Sequence, residues 1–132
     1  MEVVAIVGSR TKTKQSQQLV LNMVETVLRD IPKDSVIISG GCGSGADHAA
    51  RQLCEKQKRP YLEAPAWWGV YKSFDKSAGY KRNRTIVRVC TRLVAIWDQE
   101  SPGTEHTINL AKTLGKPVKV LRFEHVQLSE VP

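Results

Sequence analysis

The sequence predicts an α/β fold: a doubly wound, mostly parallel sheet of about five strands with helices on both faces. Two observations carry this. Short, β-branched apolar runs alternate with longer segments of helical period along the whole chain, and such alternation implies parallel strands joined by crossover helices. The strand runs are also continuously apolar, as expected for strands covered on both faces.

The elements follow in order. "VVAIV" (Val3–Val7) is the first buried strand. Helix one runs from about Ser16 to Arg29, with Leu19, Val20, Met23, Val24, Val27 and Leu28 on one face and Pro32 as its stop. "SVIIS" (Ser35–Ser39) is the second strand. Helix two begins near Ser44, places Ala46, Ala49, Ala50, Leu53 and Cys54 at 3.6 spacing, and ends before Pro60. "YLEAP" supplies a short third strand, and a loop from about Pro65 to Gly79 leads to a third helix carrying Ile86, Val87 and Cys90. "RLVAIW" (Arg92–Trp97) is the fourth strand. Helix four spans about Pro102 to Leu114, with Gly115 as its C′ residue and Pro117 beyond. "VKVLRF" (Val118–Phe123) closes the sheet. The expected organisation is therefore one domain, residues 1–123, with 124–132 as a loose tail.

At 132 residues, 41% hydrophobic and 25% charged, the chain is long enough for one core without staples. No window approaches the ~18 apolar residues of a membrane span. "MEVVAIVGSR" has an acid where a secretory leader has basic residues, so the expected location is cytoplasmic, with no membrane partner. Cys42, Cys54 and Cys90 are odd in number and widely spaced, which suggests neither a disulfide framework nor a zinc site. The net charge of +7 favours anionic partners. Seven of the 20 basic residues fall between Lys72 and Arg92, where Asp75 is the only acid.

In an open α/β sheet, ligands bind outside the carboxyl ends of the strands, where the strand order reverses. Gly8-Ser9-Arg10 follows strand one, "GGCGSGAD" strand two, and "DQESPGTEH" strand four. Small residues and hydroxyls converge there on helix N-termini, which bind anions. The spacing of Gly40, Gly41, Gly43 and Gly45 fits neither GxGxxG nor a P-loop. Two readings of this loop stay open: a phosphate cradle, or a tight turn capped by Ser44 and Asp47 in the S-x-x-D spacing of a capping box. Ser101 has the same ambiguity, an N-cap with Pro102 at N1 or, with Gly103 and Thr104, part of an anion site.

The loop from Pro65 to Gly79 holds Trp67, Trp68, Tyr71 and Phe74, with Tyr80 just beyond. Long loops are often lids or binding loops, and aromatic faces stack on bases; equally, the rings could pack beneath their own loop. Arg82 and Asn83 follow, the arginine suited to bidentate phosphate contact. Arg84 and Arg88 are expected to face solvent.

Assembled, "VGSR" (7–10), "SGGCGSGAD" (39–47), "PAWWG" (65–69), "AGYKRN" (78–83) and "SPGTEHTINLAK" (101–112) resemble the SLOG superfamily. This is the Rossmann-like nucleotide-sensor group that includes the LOG phosphoribohydrolases and the DNA-processing protein DprA. The likeness is to its small stand-alone branch, similar to YspA-type proteins. The resemblance implies a Rossmann-like fold and a nucleotide or nucleotide-derived ligand; no cofactor is expected. Gly8, Ser9, Arg10, Gly40, Gly41, Gly45, Asp47, Arg82, Asn83, Gly103 and Thr104 match motif positions, and Ser39, Gly43, Ser44 and Ser101 lie within the same segments. It also implies a homo-oligomer, since LOG proteins pair. The LOG motif PGGxGTxxE is not kept: Thr107 stands where its glutamate belongs, and the paired glycines are absent.

Three acids fall at the expected carboxyl edge, Asp47, Asp98 and Glu105. Asp98, directly after a buried strand, is either a catalytic carboxyl or a cap for the following loop. His48 and His106 sit early in helices, and His125 lies in the tail. No metal-ligand spacing stands out. The functions in play are a nucleotide-binding module, with Trp67 or Trp68 against the base, a nucleotide N-glycosidase, and a nucleic-acid binder.

Overall fold

A computed structural model describes residues 1–64 and 77–125. Its elements are β1 (Val3–Gly8), α1 (Lys14–Arg29), β2 (Val36–Gly40), α2 (Gly45–Gln57), β3 (Tyr61–Ala64), α3 (Ala78–Val89), β4 (Arg92–Trp97), α4 (Pro102–Thr113) and β5 (Val118–Arg122). The sheet is parallel throughout in the order β3-β2-β1-β4-β5, with Ala5 of β1 paired to Ile38 of β2 and to Leu93 of β4. The chain winds outward from β1 to β3, then returns to the other side of β1. The order therefore reverses between β1 and β4.

Burial explains why the strands read as unbroken apolar runs. On β1, Val4 and Ile6 pack with Val20, Val24 and Leu28 of α1 and Ala46, Ala49 and Ala50 of α2. Ala5 and Val7 point the other way, against Ile86 and Val87 of α3 and Ile108 and Ala111 of α4. Each fully buried Ile, Leu or Val side chain contributes roughly 1.5–3 kcal/mol from apolar burial. The alanines of α2 let that helix lie close to the sheet, and this sets the depth of the loop before it.

Helix ends are handled locally. Thr13 caps α1, its Oγ1 accepting from the Ser16 amide at 3.1 Å. Beyond α4, Gly115 takes φ +73°, and the amides of Gly115 and Lys116 bond back to Lys112 and Ala111. This is the left-handed stop expected at that glycine. Helix α2 ends the same way, but with Lys58 at φ 56°. Arg59 is buried and donates to the carbonyls of Leu28, Ile31 and Pro32 at 2.7–3.3 Å, closing the C-terminal end of α1. No helix among the described residues is long and apolar enough to cross a membrane.

Candidate functional site

The reversal point is built by close backbone approach. Gly45 has φ +75°, and a β-carbon there would lie 2.1 Å from the Ser9 carbonyl oxygen. A β-carbon on Gly8 would lie 2.3 Å from the Ile96 carbonyl oxygen. Only glycine permits these contacts, so the start of α2 is pressed against the end of β1, and β1 against β4. Gln17 of α1 fixes the junction, accepting from the Gly45 amide at 2.7 Å and donating to its carbonyl at 3.3 Å.

Asp98 ties the next loop together. Its Oδ1 accepts from the Ser9 hydroxyl (3.0 Å) and from the amides of Glu100 (2.9 Å) and Ser101 (2.8 Å). Its Oδ2 takes the Ser101 hydroxyl and His125 Nε2, each at 3.0 Å. Burial alone would raise its pKa, but the two amides, His125 and the Ser101 hydroxyl outweigh that and hold the carboxyl below the ordinary carboxylate range. Asp98 is a fully engaged anion that organises the loop before α4. His125, expected in a loose tail, is instead anchored on it and stacks edge-on against Phe123.

Between these junctions lies a cavity of about 310 Å³, within the size range of small-molecule sites. One wall is Gly8, Ser9 and Arg10 after β1, with Ser101, Gly103, Thr104 and Thr107 at the start of α4. The opposite wall is Gly40, Cys42 and Asp47 from the β2–α2 loop, with Tyr80, Arg82, Asn83 and Ile86 of α3. The first-turn amides of α4 have no acceptor within their own helix. Among the described residues the Arg10 guanidinium has no hydrogen-bond or ion-pair partner, and that of Arg82 makes one contact, from Nε to Asn83 Oδ1 at 3.3 Å.

Asp47 is the only carboxyl lining this cavity among the described residues, and it is 7% exposed. The S-x-x-D capping box does not form: Ser44 occupies the N-cap position with no side-chain cap bond. Asp47 turns instead toward its own loop and toward Arg82. A β-carbon on Gly40 would sit 2.8 Å from Asp47 Oδ2 and 3.0 Å from Arg82 Cζ, so only a glycine lets these groups approach. Burial raises the Asp47 pKa to about 6, against the opposing pull of Arg82 and of the Cys42 and Gly40 amides, with Glu63 adding to the rise.

The structure thus brings Gly8, Ser9, Arg10, Gly40, Asp47, Arg82, Asn83, Ser101, Gly103 and Thr104 to one cavity. Other candidates stand apart from it. Ser39 is buried and bonds Tyr61; Gly41 rests against Glu63 and Gly43 points into open space. Gly45 acts through backbone packing. Ser44 and Asp98 line a shallower hollow with Arg10 and Lys12. Glu105 is exposed and outside both linings. Ser101 makes no side-chain cap bond to α4, because its hydroxyl is held by Asp98. Trp67 and Trp68 lie outside the described residues, as do Lys72 and Lys76.

Sequence reasoning missed Tyr80, Cys42 and Thr107 as cavity residues. Gly79, Arg82, Asn83 and Ile86 follow the 3-4-7 spacing of one helix face, a signal that places Tyr80 beside the site. Tyr80 packs edge-on against His106, with ring centroids 4.8 Å apart.

No family model matches the chain, and no curated protein does. Solved structures do. DNA processing protein A from Helicobacter pylori, described for its single-stranded DNA binding mode, aligns with TM-score 0.66 at 22% identity, over 98% of this chain and 67% of that one. The molybdenum cofactor binding protein of Rippkaea orientalis aligns with TM-score 0.72 at 17% identity, over 93% and 77%. The chain shares their α/β, Rossmann-like fold. DprA from Streptococcus pneumoniae shares it too, with TM-score 0.69 at 20% identity over 90% of this chain, which spans half of that protein. In this fold the cavity occupies the reversal point between β1 and β4.

Proposed function

We propose that the chain is a binding module for a phosphorylated, nucleotide-derived small molecule held at the reversal point of the sheet. One observation carries the reading. Two guanidinium groups, Arg10 and Arg82, line a mononucleotide-sized cavity with no anion within ion-pair distance among the described residues. Across from Arg82 stand the Gly103 and Thr104 amides of the α4 N-terminus. Fixed donors of this kind fit phosphate oxygens. The ligand's ring would lie toward Tyr80.

An N-glycosidase would need a free carboxyl near the scissile bond. Asp98 is committed to its loop and Glu105 lies outside the cavity, which leaves Asp47 alone. Binding without hydrolysis therefore fits the geometry better. The test mixes stoichiometric protein with a nucleotide panel, including cyclic and ADP-ribose-type compounds, followed by ultrafiltration and chromatography of filtrate and denatured retentate. A nucleotide retained intact is the expected result, and its loss in an Arg10→Ala/Arg82→Ala variant ties it to this site. Free base in the filtrate would make the chain an enzyme. If nothing is retained, the reading is wrong.

A second reading is single-stranded nucleic-acid binding, favoured by the net charge of +7 and by what the Helicobacter pylori protein is described as binding. Oligonucleotide affinity that falls steeply and linearly with log salt would support it. The resemblance also brings the expectation of a homo-oligomer, which sedimentation would check.

A further inference from the structure

The anomaly of the cavity is a carboxyl group among donors. Resting on the nucleotide reading above, we infer that Asp47 selects the ligand by its heterocycle, accepting the paired ring N–H and exocyclic NH₂ of a 2-amino-4-oxopyrimidine edge, as found in guanine and in pterins.

A loop-closing role alone does not explain the residue. The Gly40 and Cys42 amides could be satisfied by the carbonyl of an asparagine, with no ionisable group buried. A carboxyl at 7% exposure carries a desolvation penalty instead, and it does so where it lines the cavity. Groups kept against stability at a binding site point to recognition. The surroundings complete the pattern. Arg82, packed near Asp47 on Gly40, is left to the phosphate. Asn83 accepts from Arg82 through Oδ1, so its amide nitrogen is left to donate to the ring's 4-oxo oxygen. Two acceptor oxygens beside one amide donor match guanine's N1–H and N2 donors beside its O6 acceptor. Adenine presents a ring acceptor where this edge has N–H, and hypoxanthine lacks the 2-amino group.

Among the described residues the charged and titratable groups around Asp47 are Arg82 of α3, Glu63 and Tyr61 of β3, and Cys42 of its own loop. Recognition of two donors needs the ionised carboxylate. Preference for the guanine-type edge therefore grows as pH rises through about 6, where Asp47 loses its proton, and fades below it.

The test measures binding of GMP, IMP, AMP and ribose 5-phosphate at pH 5 and pH 7.5, with 6-carboxypterin as a second carrier of the same edge. Wild type is expected to favour GMP over IMP by tenfold or more at pH 7.5, a ratio that shrinks at pH 5. Asp47→Asn is expected to bring GMP and IMP to equal affinity at both pH values. Tight 6-carboxypterin binding with weak GMP would assign the edge to a pterin ligand and keep the inference. Equal binding of GMP and IMP by wild type at both pH values would overturn the selection role and leave the phosphate site standing. Failure of every probe, ribose 5-phosphate included, would overturn both. Should Asp47→Asn not fold, the wild-type pH series alone decides.

Discussion

Asp47 carries the most consequence of any single residue. Its carboxyl binds a proton more tightly in the folded chain, at about 6, than in the unfolded chain, near 4. Its contribution to stability is thus most favourable below pH 4 and falls as pH rises through 6. Asp47→Asn is expected to raise stability at pH 7.5 by about 2 kcal/mol, with little change at pH 4; urea melts at the two pH values check this. Asp98 behaves oppositely, its stabilisation present above pH 4 and lost only in strong acid, because its hydrogen bonds favour the charged form. The contrast shows what the sequence could reveal. Asp98 directly after a buried strand already read as a possible loop cap, since its amide partners Glu100 and Ser101 are its chain neighbours. Asp47 was open to misreading as a capping-box acid, because what sets its behaviour, burial and the through-space charge of Arg82 from another helix, lies outside its local sequence.

At the scale of elements, the glycine-rich loop divides into positions with different duties. Gly45 needs its positive φ and its contact with Ser9, whereas a β-carbon on Gly43 would meet nothing within 4 Å. Gly45→Ala is expected to lose more than about 3 kcal/mol or fail to fold, while Gly43→Ala stays within about 0.5 kcal/mol; thermal melts of the pair distinguish a structural loop from a uniformly constrained one. The α2 terminus offers the reverse case. Lys58 holds φ 56° where glycine is the usual residue, so Lys58→Gly is expected to stabilise the fold by about 0.5–1 kcal/mol in urea titrations. The order and type of these elements were legible because two-sided burial writes continuous apolar runs and amphipathic periods. Their ends were not. Thr13 extends α1 two residues beyond Ser16, and Arg59 plugs the far end of that helix from across the fold, contacts that no local pattern reports.

For the molecule as a whole, the parallel sheet order creates one place where loops from both halves meet, and the sequence places Arg10, Arg82 and several small residues there. This much followed from the loops after each strand, since topology alone fixes where those loops converge. Which of their side chains reach the cavity did not follow: Ser9 spends its hydroxyl on Asp98, and Glu105 turns to solvent, while Cys42 and Thr107 face inward. Cys42 makes the central claim directly measurable. It lines the cavity at intermediate exposure, whereas Cys54 and Cys90 are fully buried and burial pushes their thiols up. The decisive experiment follows alkylation of Cys42 by mass spectrometry, with and without millimolar nucleoside monophosphates. Protection of Cys42 by nucleotide, saturable and abolished in Arg10→Ala/Arg82→Ala, is the result expected of a ligand seated at the reversal point. A nucleotide that binds yet leaves the Cys42 rate unchanged would place the site elsewhere and contradict the reading.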